Sequence, residues 1–149
     1  MSTLLQQLLP GATAFEPRAF MLAGNATFTV VSQRTGTRFT FKVRQPAPDK
    51  PHFVSLLSGP DNENDFTFLG TIFDAELPSC RYAHGRRSHV GADAPSAKAA
   101  NWVCNRILSG RPLVNCEIHH EGRCGRCGRK LTVPESILSG FGPECASRL

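Results

Sequence analysis

The sequence predicts an α+β fold: an antiparallel sheet of about four strands packed with one main helix, plus a small C-terminal zinc module of treble-clef type. Three observations lead there. Four β-rich segments follow one another between residues 26 and 73, separated by turn-forming residues. A single segment near residue 100 repeats its apolar residues with helical period. In the last third, Cys124-Gly-Arg-Cys127 is followed after seventeen residues by Cys145, with histidine just upstream. The expected division is a sheet domain over 1–112 and a zinc-binding module over 113–149.

Each element has its own signal. Leu4, Leu5, Leu8 and Leu9 fall at helical spacing and are ended by Pro10-Gly11, a short amphipathic helix expected to dock on its own domain. Ala26 to Ser32 is β-branched and aromatic, Arg34-Thr35-Gly36 supplies a turn, and Thr37 to Arg44 returns as the second strand. In that return strand Phe39, Phe41 and Val43 share one face and Arg38, Thr40, Lys42 and Arg44 the other, the pattern of a sheet with one wet side. A proline-rich linker leads to a third strand over His52 to Ser58. An acidic loop leads to a fourth over Phe66 to Phe73, both read as partly or fully buried. Leu77 to Pro95 reads as irregular and basic. Ser96 reads as an N-cap, and Ala97 to Leu108 as a helix anchored by Trp102 and ended by Gly110 and Pro112.

Two thiols two residues apart converge across a tight turn, and Pro143 suits a helix start that would put Cys145 in the first helical turn. Three sulfurs and one imidazole are what tetrahedral Zn2+ accepts in a closed structural site. Cys124, Cys127 and Cys145 are therefore the expected metal ligands. His120 is the fourth, with His119 and Cys116 as alternatives. If Leu113 to His120 is a strand, alternation places Val114, Cys116, Ile118 and His120 on one face and His119 on the other. Cys80 and Cys104 read as structural. Six cysteines are an even number, but the N-terminus lacks a positive n-region and its apolar core is too short for a signal peptide. No run reaches membrane-spanning length. A cytoplasmic setting, where spaced thiols favour metal over disulfides, is the expectation.

Charge is unevenly placed. Residues 1–77 carry six Lys or Arg against seven Asp or Glu, and residues 78–149 carry eleven against five, so the net +5 arises in the second half. Such asymmetry bears on partners, chiefly nucleic acid or an acidic protein surface. Three basic groups are candidates for phosphate contact: Arg38, Lys42 and Arg44 on the second strand; Arg81, Arg86 and Arg87 in the irregular stretch; Arg123, Arg126, Arg129 and Lys130 around the Cys-x-x-Cys turn. Tyr82 offers one ring for stacking on a base. Catalysis is not expected, because three cysteines and a histidine close a zinc shell. Neither a phosphate-cradling glycine loop nor a serine nucleophile elbow is present.

The segment from His120 through Cys124-Gly-Arg-Cys127-Gly-Arg-Lys to Ile137, ending Gly140-Phe-Gly-Pro-Glu-Cys145-Ala, resembles an uncharacterised family of zinc-finger-like domains common in bacteriophages, plasmids and integrated mobile elements. Ala26-Thr-Phe-Thr-Val-Val-Ser, Phe53-Val-Ser-Leu-Leu-Ser-Gly-Pro-Asp-Asn, Phe68-Leu-Gly-Thr-Ile72 and Ala94-Pro-Ser-Ala-Lys resemble the N-terminal half of such proteins. The resemblance implies Cys124, Cys127, Cys145 and His120 as metal positions, and a bacterial cytoplasm as the setting. Taken together, the expectation is a non-enzymatic zinc-binding accessory protein that binds DNA or RNA. The alternative is a protein-binding inhibitor or adaptor acting on a host defence complex. Neither a membrane nor a small-molecule substrate is expected.

Overall fold

The alternation of β-branched and aromatic residues with polar ones builds the centre of the molecule. In the computed structural model, which describes residues 16–61, 64–73, 75, 80–120 and 124–127, Asn25–Ser32 (β1) and Arg38–Arg44 (β2) form an antiparallel hairpin. Gly36, at φ 73°, takes the left-handed conformation the turn demands. His52–Leu57 (β3) and Phe66–Phe73 (β4) continue the meander, and Arg81–His84 (β5) completes it. Cys116–His120 (β6) pairs with the opposite edge of β1, giving the order β5-β4-β3-β2-β1-β6 with every pairing antiparallel.

The expectation of about four strands with one main helix and a separate zinc module is thereby overturned. The sheet has six strands, and among the described residues no metal module is present. Both extra strands are short edge strands. β5 has four residues and only Tyr82 buried, too little apolar alternation to mark it in sequence. β6 was expected to lead into the module and instead extends the sheet through β1. A short helix, Pro17–Met21 (α1), carries Phe20 and Met21 into the core. The expected helix over residues 4–9 lies outside the described residues.

Pro95–Leu108 (α2) carries the chain back from β5 towards β6. Its Ala99, Trp102 and Val103 lie beside Val30 and Phe39, while Asn105, nearer its C-terminal end, lies against β5. Its start differs from expectation. Pro95 at the first helical position forces Ala94 into extended backbone, making Ala94 the N-cap and placing Ser96 inside the first turn. At the other end the Arg111 amide donates to the Arg106 carbonyl at 2.9 Å and Gly110, at φ 73°, donates to Ile107 at 3.1 Å, a Schellman closure.

The inner face of the sheet contributes Phe28, Phe41, Val43, Val54, Leu69 and Ile72 to the core, and α2 contributes Ala100, Val103, Cys104, Ile107 and Leu108. Trp102 is not the anchor of this helix. It is 40% exposed, with the Arg106 guanidinium 5.1 Å from its ring centroid. Asn105 holds the helix to β5: its side-chain oxygen accepts the Tyr82 amide at 2.9 Å, and its amide group donates to the Tyr82 carbonyl at 3.3 Å. That pair satisfies backbone groups on an edge strand. Burial dictates that Ile107→Ala, at a side chain 4% exposed, destabilises by about 2–5 kcal/mol. Trp102→Ala costs less, and paired urea titrations check that order.

His52 is the buried polar residue at the β3 entrance, 4% exposed. Its Nε2 donates to the Leu22 carbonyl at 3.0 Å, leaving Nδ1 without a partner. Burial depresses its pKa below the ordinary 6.5, the backbone hydrogen bond opposing only in part. The unfolded chain therefore takes up the proton first. Stability is complete above pH 6.5 and is lost as pH falls from there through the lower folded value. Melting temperature measured from pH 7.5 down to about 5 is expected to fall, and His52→Gln, which retains a donor to Leu22, is expected to flatten that fall.

Candidate nucleic-acid interface

The outer face of the sheet gathers aromatic and cationic side chains that are scattered in sequence. A register shift between Val54 and Ser55 pairs Val54 with Gly70 but Ser55 with Phe68, so Leu69 is the extra residue of a β-bulge. Leu69 is fully buried. The bulge resets the alternation of β4. Phe66 and Phe68 before it, and Thr71 and Phe73 after it, all lie on the outer face beside Phe53, Ser55 and Leu57 of β3. Phe53 and Phe68 meet edge to face at 6.3 Å between centroids, Phe66 and Phe68 are half-buried, and Phe73 is 40% exposed. The sequence reading of β3 and β4 as partly or fully buried singles out none of these rings. The Phe-Thr-Phe rhythm of residues 66–68 was the available signal, hidden by the bulge.

Cations border the rings on both sides. Along β2, Arg38, Lys42 and Arg44 project outward with Thr40, whose hydroxyl hydrogen-bonds that of Thr29 at 2.7 Å. The Lys42 ammonium stands 5.4 Å from the Phe66 centroid, and Arg44 lies opposite Phe53. Along β5 the Arg81 guanidinium stands 5.4 Å from the Phe73 centroid. Arg86 and Arg87 occupy the loop after β5, which is tied to β4. The Gly85 amide donates to the Leu69 carbonyl at 2.8 Å, and the Ser88 hydroxyl to the Phe68 carbonyl at 2.6 Å. A side chain at Gly85 would meet the Phe68 ring at 2.5 Å, so glycine permits this close approach. Among the described residues Arg38, Lys42, Arg44, Arg86 and Arg87 make no ion pair, and no carboxylate projects from the outer face of β1 to β5. On β6, beyond β1, Glu117 projects from the outer face and pairs with His119 at 3.3 Å.

Tyr82 does not belong to this surface. It is buried on the inner face, and burial raises its phenol well above the ordinary value. It cannot stack on a ligand.

The metal-ligand candidates among the described residues divide between the two faces, with His120 and Cys124 on the inner side. His120 pairs with Phe28 on the inner face, and His119 pairs with Thr29 on the outer face, where it is exposed. The His120 ring lies 5.7 Å from that of Phe20. Phe20 also packs under Gly125, where an added Cβ would stand 2.6 Å from its ring. His120 and the Cys124-to-Cys127 turn thus share one neighbour. Cys124 is buried, Cys127 exposed, and the Arg126 amide donates to the Cys124 sulfur at 3.4 Å, the hydrogen bond a knuckle turn makes to a metal-binding thiolate. Among the described residues no group of three His, Cys, Asp or Glu side chains converges. Cys145 lies outside them, as do Arg123, Arg129 and Lys130. Arg126 is exposed on the turn, and the turn is tied to the β1 end that pairs with Arg44 by the Asn25 amide donating to the Gly125 carbonyl at 2.9 Å.

The other thiols differ. Cys104 is fully buried, its pKa pushed up to about 12 by desolvation, and acts as a small apolar residue. Cys80 packs at the margin of the core. Cys116 is raised by burial and pairs with Ser32, four residues along β6 from His120, about 13 Å at strand rise.

Residues 117–149 match a family of unknown function, DUF6011. No curated protein and no solved structure matches the chain. No helix among the described residues is long and apolar enough to cross a membrane.

Proposed function

We propose that this chain is a non-enzymatic, zinc-binding accessory protein of a phage or mobile element that binds nucleic acid on the outer face of its sheet. One observation carries the reading: Arg38, Lys42 and Arg44 on one border and Arg81, Arg86 and Arg87 on the other stand on a single face from which no described carboxylate projects. Guanidinium forks bind phosphate oxygens bidentately, and several on one rigid surface fix a polyanion by counterion release. The basic turn around Arg126 extends the same end of the sheet through Asn25. Arg123, Arg129 and Lys130 belong to the proposal on sequence grounds.

Zinc is proposed on Cys124, Cys127 and Cys145, with His120 as fourth ligand. The inner-face position of His120 and the amide-to-sulfur bond at Cys124 support that set. Cys116, at the far end of β6, and His119, on the outer face, are less suited. The metal would supply structure, joining the edge strand β6 to the segment after Cys127, and the chemistry of nucleic-acid contact remains with the arginines.

A second reading, a protein-binding inhibitor or adaptor of a host defence complex, draws on a different surface. Trp102 and Val114, 40% and 55% exposed, flank an apolar groove floored by Val30 and Phe39. Capture of a stoichiometric host protein from nuclease-treated lysate, without affinity for free DNA or RNA, would favour it.

Fluorescence anisotropy against salt tests the nucleic-acid reading. Affinity is expected to fall steeply, and the triple change Arg38→Ala, Lys42→Ala, Arg44→Ala should lower the log–log slope by about 2–3. A flat salt response rejects it. Elemental analysis is expected to find one zinc per chain, lost in Cys124→Ser and Cys145→Ser, weakened in His120→Ala and retained in His119→Ala. Chelation should lower the melting temperature of the wild-type chain.

A further inference from the structure

We infer that the ligand of the outer face is single-stranded, its bases stacking on Phe53, Phe66, Phe68 and Phe73 while its phosphates lie along the two cationic borders; this rests on the nucleic-acid reading of the same face. Phosphate attraction alone does not distinguish strand from duplex, because both carry the charge. The rings do. In a duplex the π-faces of the bases are covered by their neighbours, and a broad sheet fits neither groove, so the half-buried Phe53, Phe66 and Phe68 and the exposed Phe73 would gain nothing. An unpaired strand offers its π-faces, and stacking on an aromatic platform is the usual device by which proteins hold one without reading its sequence.

The layout fits that ligand. The four rings lie on β3 and β4, with Phe53 and Phe68 in mutual contact. Lys42 and Arg44 on β2 and Arg81 on β5 close the platform on either side. From β2 to β5 is three strand spacings, about 14 Å, so cations and rings are within one strand of each other everywhere on the platform. Lys42 and Arg81 stand over ring faces at 5.4 Å each, where a bound phosphate and a stacked base would be neighbours. Phenylalanine has no hydrogen-bonding group, and Ser55 and Thr71 are the polar residues between the rings on β3 and β4. Binding should therefore be tolerant of sequence.

The test is anisotropy with a fluorescein-labelled oligothymidine and with a duplex of equal length, on the full chain, at low salt. The single strand is expected to bind more tightly. Phe53→Leu and Phe68→Leu, which keep apolar volume and lose the ring, are each expected to weaken it by about 5- to 150-fold, with the duplex unaffected. Melting curves verify that the variants fold. Ultraviolet cross-linking of oligothymidine to the wild-type chain, mapped by mass spectrometry, gives a readout independent of any variant and should mark β3 and β4. Equal binding of strand and duplex, lost in Arg44→Ala but unchanged in both Phe→Leu variants, would overturn the single-strand inference and leave the nucleic-acid reading standing. Absence of binding to either, or binding that no outer-face variant weakens, would overturn both.

Discussion

Leu69 has no partner on β3, and the two faces of the sheet depend on that irregularity. A regular strand alternates sides at every residue, so Phe66 and Phe68 on one face would place Gly70 and Ile72 with them. The bulge inserts one residue, and Ile72 turns inward beside Leu69 while Thr71 and Phe73 turn out. Gly70 follows from the same geometry. An added Cβ there would lie 2.4 Å from the Ala83 carbonyl oxygen and 2.6 Å from the Tyr82 hydroxyl, so the strand after the bulge approaches β5 more closely than any side chain permits. One inserted residue thus completes the core and exposes the aromatic platform.

The inner face is covered by two elements of different kinds. α2 lays Val103, Cys104, Ile107 and Leu108 on it, held in position by apolar burial and by Asn105 on the β5 backbone. Phe20 of α1, whose neighbour Arg18 donates to the Leu108 carbonyl at the end of α2, covers the part between His120 and Gly125. A fully buried phenylalanine contributes about 1.5–3 kcal/mol, and this one also sets the distance between the last strand and the Cys-x-x-Cys turn. Of the proposed metal ligands, His120 and Cys124 therefore lie on the side of the sheet opposite the proposed nucleic-acid face. The turn and that face are joined through Asn25, whose amide reaches the turn and whose strand partner is Arg44.

The alternation of Phe39, Phe41 and Val43 with Arg38, Lys42 and Arg44 was legible because β2 is regular throughout its length, and period two needs no knowledge of its neighbours. The helix over residues 97–108 was legible for the same reason, yet Trp102 was misplaced. Size and hydrophobicity single it out, whereas its angle around the helix axis puts it beside the core and leaves Val103 and Ile107 inside. Tyr82 failed in the opposite direction: its basic neighbours suggested a wet surface, and the pairing of β5 with β4 turned it inward.

What the amino-acid sequence determined by itself was local: the strands from Ala26 to Phe73, the helix end at Gly110, the cationic stripe of β2, the inner-face parity of His120, and the cysteine spacing that nominates a metal. These follow from period, turn chemistry and ligand distance within a few residues. Tertiary structure alone decided that β6 joins the sheet beside β1, that α2 packs against β5 through Asn105, and that a bulge brings four phenylalanines to the side already lined with arginine and lysine. Pairing between strands distant in sequence sets those outcomes, and a register shift of one residue reverses which face a side chain occupies.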